Sequence, residues 1–232
     1  MSVAAVCLGV TLAPVQAEPA ARITRLSNLR TLSRWAYPNA VTVARASPSP
    51  SARATGQLRL LTSDEQAELY LALASAVTAS GEMWIKVDLP GRPNGNTGWV
   101  PRGALGPFHS VDGYLRVNRT TLRVTLFRRG RPVFSAPVGV GKASTMTPAG
   151  NFYVMEKLRA INGPIYGPFA LGTSAYAPTL SEWPGGGVVG IHGTNEPGLI
   201  PGRPSHGCVR MRNGDVTRLW AMVGVGTPIQ IT

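Results

Sequence analysis

The sequence predicts a mainly β chain: a small barrel, then a second β domain of sandwich type, with one or two short helices. Three observations predict it. Apolar and polar residues alternate in short runs, as in Trp84-Ile85-Lys86-Val87-Asp88-Leu89 and Thr121-Leu122-Arg123-Val124-Thr125-Leu126-Phe127, which is the period of a half-buried strand. Turn clusters such as Pro93-Asn94-Gly95-Asn96-Thr97-Gly98 and Arg128-Arg129-Gly130-Arg131 punctuate those runs. Complete helical spacing occurs at one place, where Val216, Leu219, Trp220 and Val223 follow Asn213-Gly214-Asp215 as a start, with Asp215 as its cap, and precede Gly224 as a stop.

Taken in order, residues 1–17 carry no charge and end Val15-Gln16-Ala17, which reads as a secretory signal cleaved after Ala17 and taking Cys7 with it. A short buried strand or helix is the alternative, and the missing basic start allows the true beginning to lie upstream of Met1. The apolar run is too short to span a bilayer, and no later stretch reaches that length. Residues 18–39 form a basic leader, with Ile23, Leu26, Leu29 and Leu32 at spacing three in either a short amphipathic helix or a mobile segment.

Residues 40–107 make the first β domain. Strands are expected at 41–44 and 58–61, then over 68–78 and 84–89 about an Ala79-Ser80-Gly81 turn, with Gly98-Trp99-Val100-Pro101 closing. Trp84 and Trp99 belong either in its core or along a peptide groove, and the core is the safer reading. Past a boundary at 105–112, residues 113–232 make the second domain. Its strands begin at Tyr114-Leu115-Arg116-Val117 and end at Ile229-Gln230-Ile231-Thr232. Val188-Val189-Gly190-Ile191-His192 reads as a strand in which Val189 and Ile191 face the core while His192 shares the other face with Gly190.

Formal net charge is +12, and residues 1–17 contribute none of it. Arg22, Arg25, Arg30, Arg34, Arg45, Arg53 and Arg59 face only Glu18 before Asp64. Such a balance implies either an anionic partner or a solvated arginine-rich surface. Nucleic acid suits the charge but not the pattern, because the arginines are scattered, lack interleaved aromatics and belong to no binding motif.

The chemistry concentrates in Ile191-His192-Gly193-Thr194 and Ser205-His206-Gly207-Cys208-Val209-Arg210-Met211, which hold two of the three histidines and the one thiol outside the signal segment. A thiol near imidazoles is a candidate nucleophile, since thiolate is the reactive form and a base makes it available. A lone cysteine is more often a buried small hydrophobe. Here it follows a glycine in a polar, glycine- and proline-rich loop, a poor address for a core residue. Zinc on His192, His206 and Cys208 is the rival use; the His-x-Cys pair is too tight and no carboxylate or second cysteine supports it.

His192-Gly-Thr-Asn-Glu-Pro, a loop, and Ser205-His-Gly-Cys-Val-Arg-Met, with His192 sixteen residues before Cys208, resemble the signature of L,D-transpeptidases with a YkuD-type catalytic domain. Thr147-Pro148-Ala149-Gly150 and Tyr166-Gly167-Pro168-Phe169 are similar to the same family, and the resemblance covers residues 113–232. Trp84-Ile-Lys-Val, a turn and Gly98-Trp-Val-Pro resemble bacterial SH3-like domains.

The resemblance implies that Cys208 is the nucleophile, His192 its base, and the Gly193 carbonyl the group that orients the imidazole in place of a carboxylate. It implies an oxyanion hole from the amides of His206, Gly207 and Cys208, with a structural role as the alternative for His206. Arg210, where other members carry asparagine, suits a substrate carboxylate; Tyr166, Tyr176, Gly187 and Ser205 are expected around the substrate. The reaction implied needs no cofactor: Cys208 attacks a peptidoglycan tetrapeptide stem, D-Ala leaves, and an acceptor stem takes the acyl group in a 3→3 crosslink. The implied partners are donor and acceptor stem peptides, an anionic cell wall and carbapenems, for an exported protein of the cell envelope. An L,D-carboxypeptidase, or a non-catalytic wall-binding protein with an incidental Cys208, are the alternatives.

Overall fold

A computed structural model describes residues 22–159, 163–180 and 184–232, so the expected signal segment lies outside the described residues. Among them are two large sheets and one α-helix, Asn213–Met222, and no helix is long and apolar enough to cross a membrane.

The first sheet runs in the order Ala54–Leu58, Thr42–Arg45, Thr97–Pro101, Met83–Asp88, Tyr70–Val77, Ser33–Ala36, His109–Val111, with Arg22–Arg25 also paired to Tyr70–Val77. All its pairings are antiparallel. It is thus an eight-stranded sheet, larger than the small barrel expected. The stretch read as a helix or leader supplies two of those strands. Asn28 is the reason: its Oδ1 accepts the amides of Arg30, Thr31 and Leu32, and Leu29 takes φ 59°, so the chain turns where the spacing suggested a helix. Within the expected boundary at 105–112, His109–Val111 still belongs to this sheet, because it pairs with Ser33–Ala36. The strand expected at 58–61 lies earlier, and Leu60 and Leu61 are exposed. Trp84 and Trp99 are buried beside Ala76, in the core and not along a groove.

The second sheet runs Arg131–Pro137, Arg123–Arg128, Gly113–Asn118, Pro228–Ile231, Gly150–Arg159, Phe169–Tyr176, Val188–His192, Val209–Arg210, Gly139–Gly141, Gly202–Ser205. Arg129 (φ 48°) and Gly130 (φ 79°) form the two-residue hairpin turn, whose positive φ at both central positions matches the strand twist. Gly150–Arg159 pairs through its first half with Pro228–Ile231 and through its second with Phe169–Tyr176, with a register shift between Val154 and Glu156. One strand serving two partners makes a single curled sheet instead of the two separate sheets of the sandwich expected. Its interior is filled by Leu115, Val124, Val140, Leu171, Ile191 and their neighbours, and the helix adds Val216, Leu219 and Val223. Asp215 sits in the helix's first turn and pairs with Arg218, while Arg212 occupies the cap position.

The two sheets share apolar contacts. Trp35, Leu69 and Leu71 of the first form one cluster with Tyr153 and Met155 of the second, and the Tyr153 hydroxyl donates to the Leu69 carbonyl at 2.9 Å. Beside them Thr62 donates to buried Glu156 at 2.8 Å.

Candidate active site

Val188–His192 and Val209–Arg210 run parallel, pairing Ile191 with Val209 and His192 with Arg210. This register sets Cys208 beside Gly190, whose N–H donates to Sγ at 3.4 Å. Gly190 and His192 share a strand face, so the residue opposite the thiol and the imidazole are about 7 Å apart along the strand. Val189 and Ile191 are buried on the other face, as alternation requires.

His192 is itself buried, and its Nδ1 lies 2.6 Å from the Gly193 carbonyl. A carbonyl oxygen only accepts, so Nδ1 carries the proton and Nε2 offers its lone pair. Burial pushes the imidazole down to about 4, with the Arg210 charge acting the same way and the Gly193 bond opposing. The position is held from behind: Met211 N–H donates to the His192 carbonyl at 2.8 Å, and Thr194 N–H to Asn213 Oδ1 at 2.9 Å. A Cβ on Gly193 would meet Asn213 Oδ1 and Gly167, so this corner requires glycine. Tyr166, in the short 3₁₀ turn Pro164–Tyr166, sets its ring edge-on to His192 at 4.8 Å.

Cys208 is half-buried. Burial of its sulfur pushes the thiol up, against opposing pulls from the Gly190 amide and Arg210. Both shifts favour the uncharged forms, thiol and neutral imidazole.

The turn before Cys208 is braced internally. Gly207 has φ 128°, a conformation side chains rarely allow. Ser205 Oγ donates to the Cys208 carbonyl at 2.6 Å and accepts Gly207 N–H at 3.1 Å. Thr147 Oγ1 donates to the Gly207 carbonyl at 2.8 Å and accepts Gly141 N–H at 2.9 Å. Ser205, expected near substrate, therefore has its hydroxyl turned into the turn, and the Gly207 amide points at Ser205 and not at an oxyanion.

These residues open onto one pocket of about 230 Å³. Cys208, His192, His206, Gly207 and Arg210 line one side; Tyr166, Ala177, Leu180, Gly187 and Val188 line the rest. Of the residues expected at the substrate, Tyr166, Gly187, Ser205 and Arg210 line the pocket, and His206 is exposed at the rim. Arg210 pairs with Glu196 at 2.8 Å through Nη1, while its Nε is buried without a partner among the described residues. Tyr176 is not in the pocket; its ring stacks under the Arg92 guanidinium at 5.1 Å, and its backbone is bound by Asn94. Among the described residues, no three of His, Cys, Asp and Glu are placed to hold a metal. Sequence reasoning missed Thr147, Asn213 and Arg92 as parts of this site. Thr147 alone left a signal, at the head of a quoted Thr-Pro-x-Gly turn.

Residues 112–231 match the family model of the L,D-transpeptidase catalytic domain, YkuD. The chain is 34% identical over 123 residues to a Bacillus subtilis (strain 168) protein named as an L,D-transpeptidase, YkuD, covering 53% of this chain and 68% of that one. It is 39% identical over 116 residues to the Bacillus licheniformis protein of the same name, covering 50% of this chain and 62% of that one. Among solved structures, an L,D-transpeptidase in complex with imipenem is 16% identical with a TM-score of 0.42, covering 65% of this chain and 91% of that one.

Proposed function

From the premise that this chain belongs to the L,D-transpeptidase family, whose catalytic domain its residues 112–231 match, we propose that it crosslinks peptidoglycan stem peptides through a thioester on Cys208. The observation that carries this reading is the geometry: an imidazole whose Nδ1 is fixed by the Gly193 carbonyl, and a sulfur held at the Gly190 amide two residues before it, both open to one pocket.

In the first step Sγ attacks the carbonyl between the third stem residue and the terminal D-Ala while His192 Nε2 takes the thiol proton. The C–N bond of the tetrahedral adduct breaks, His192 returns that proton to the departing amine, and D-Ala leaves a thioester behind. In the second step an acceptor amine attacks the thioester, His192 takes its proton, and the thiol is restored as the new amide forms. With Gly207 N–H bound to Ser205, the amides of His206 and Cys208 are the candidate oxyanion donors from that turn. Arg210 lines the pocket and its Nε has no partner among the described residues, which supports reading it as a donor for a substrate carboxylate. Carbapenems would acylate the same sulfur, and the protein would act in the cell envelope.

The test is incubation with a disaccharide–tetrapeptide, followed by mass spectrometry. D-Ala release together with a 3→3 dimer supports the reading. D-Ala release with tripeptide alone makes the chain an L,D-carboxypeptidase, and no release with no imipenem adduct on Cys208 leaves the wall-binding alternative.

A further inference from the structure

We propose that Arg92 and Asn94, in the first domain, are positioning residues for the substrate pocket, holding one of its walls in place from across the domain boundary. This rests on reading that pocket as the donor-peptide site.

The wall consists of residues 177–180 and 186–187, and Ala177, Leu180 and Gly187 face the cavity. Its base is closed by one bond of its own, from Ala177 N–H to the Gly187 carbonyl at 2.8 Å. Three of its carbonyls, those of Ala177, Leu180 and Gly186, turn to the other domain. Arg92 donates from Nε and Nη2 to the Ala177 carbonyl at 3.2 and 2.9 Å, from Nη2 to the Leu180 carbonyl at 3.1 Å, and from Nη1 to the Gly186 carbonyl at 2.9 Å. One planar fork thus spans both limbs of the wall, a geometry that a single ammonium cannot reproduce. Asn94 then grips the strand end leading into it, donating to the Tyr176 carbonyl at 2.7 Å and accepting Tyr176 N–H at 2.9 Å. Those two bonds imitate a neighbouring strand where the sheet runs out. The packing leaves no slack: a Cβ on Gly187 would meet both the Leu180 carbonyl and the Arg92 guanidinium.

Every one of these contacts falls on the wall or its root, and none on Cys208 or His192. Loosening Arg92 therefore disturbs where the peptide lies before it disturbs the reacting groups, and it acts on substrate affinity more than on turnover.

The experiment uses the full chain and the variants Arg92→Ala, Arg92→Lys and Asn94→Ala. Two quantities are read: amide hydrogen exchange at Tyr176 and Ala177 against Met211, and kcat and KM for D-Ala release from a tetrapeptide. Arg92→Ala is expected to speed exchange at Ala177 by about tenfold with Met211 unchanged, and to raise KM about tenfold with kcat within about twofold. Arg92→Lys should recover part of both effects, and Asn94→Ala should speed exchange at Tyr176. Unchanged exchange at Ala177, an equal rise at Met211, or a loosened wall with unaltered KM each overturns the proposal. If Arg92→Ala fails to fold, the other two variants decide on the same criteria. If the parent chain releases no D-Ala, the functional reading fails by itself, and the exchange comparison still decides whether Arg92 and Asn94 hold the wall.

Discussion

The two sides of the pocket are held in different ways. On the nucleophile's side every brace comes from the same domain: Ser205 and Thr147 fix the turn, Gly193 fixes the imidazole, and Asn213 fixes the loop behind it. On the far side, the wall at Ala177, Leu180 and Gly186 hangs on a guanidinium from the first domain. On the proposed reading, chemistry and substrate placement are thus anchored in separate parts of the chain. A change in one is expected to leave a signature distinct from a change in the other, and the measurements below are chosen to expose that division or to erase it.

The largest effect is expected at the nucleophile. Cys208→Ala should bring D-Ala release below detection while shifting the melting temperature little, because the thiol lies on a braced turn and not in the apolar core. His192→Ala should do the same, whereas His206→Ala should retain part of the activity; equal and total loss in both would move His206 into the machinery. Next comes a chain begun at Ser110, which loses Trp35, Leu69 and Leu71 from the cluster around Tyr153 and Met155. At about 1.5–3 kcal/mol for each large side chain's burial, such a truncation is expected to melt well below the full chain or not fold at all. A cooperative melt at the parent temperature would show that the second domain is self-sufficient.

Thr147→Val sharpens the comparison from the nucleophile's side. It leaves the Gly207 carbonyl and Gly141 N–H unpaired in a buried place, at about 1–3 kcal/mol each. The expected loss is about tenfold in kcat with KM nearly unchanged, restored by Thr147→Ser. A KM effect here would blur the division between the two sides. The pH profile gives a subtler test. With His192 held down to about 4, kcat/KM should stay level from pH 8 to about 5 and fall only as the base protonates. An acid limb near 6.5 would mean that the imidazole is solvated in the working enzyme.

The smallest effect belongs to the domain boundary. Burial raises the Glu156 carboxyl to about 7, helped by nearby Asp64 and opposed by the Thr62 hydrogen bond. Between 4.5 and about 7 the folded chain therefore holds a proton that the unfolded chain has lost. That contribution is complete below 4.5 and disappears as pH rises through 7, so the melting temperature should decline over this window. Asp88, also raised to about 7, adds in the same direction. His192 works oppositely, its contribution being lost as pH falls from 6.5 through about 4. Glu156→Gln should flatten the decline by on the order of 1 kcal/mol after allowance for solvent screening, read from melts at pH 5 and 8.

Much of the reacting centre was legible in the sequence because it is local. Alternation over Val188–His192 gives the face of His192, and sixteen residues later the Ser-His-Gly-Cys turn returns beside it. What escaped depends on contacts distant in sequence. Tyr176 read as a substrate residue because nothing near it announces Arg92 and Asn94, more than eighty positions earlier. Asn94 stood in a cluster of Pro, Asn and Gly legible only as a turn, and Arg92 stood just before it with no signal of its own. Ser205 does line the pocket, but spacing does not reveal that its hydroxyl rotates into the turn. The helical reading of residues 23–32 failed on a single Asn28 side chain that turns the chain, and the sandwich became a curled sheet because one ten-residue strand changes partner midway.

The protonated state of Cys208 also bears on its survival. Peroxides and disulfides react with thiolate, so a sulfur kept as thiol is slow to enter the ladder from sulfenic to sulfonic acid. No second cysteine lies among the described residues to trap a sulfenic acid as a disulfide, so oxidation of Cys208 would have no internal route back. On the proposed mechanism, the same burial that makes Cys208 wait for His192 also shields it between turnovers.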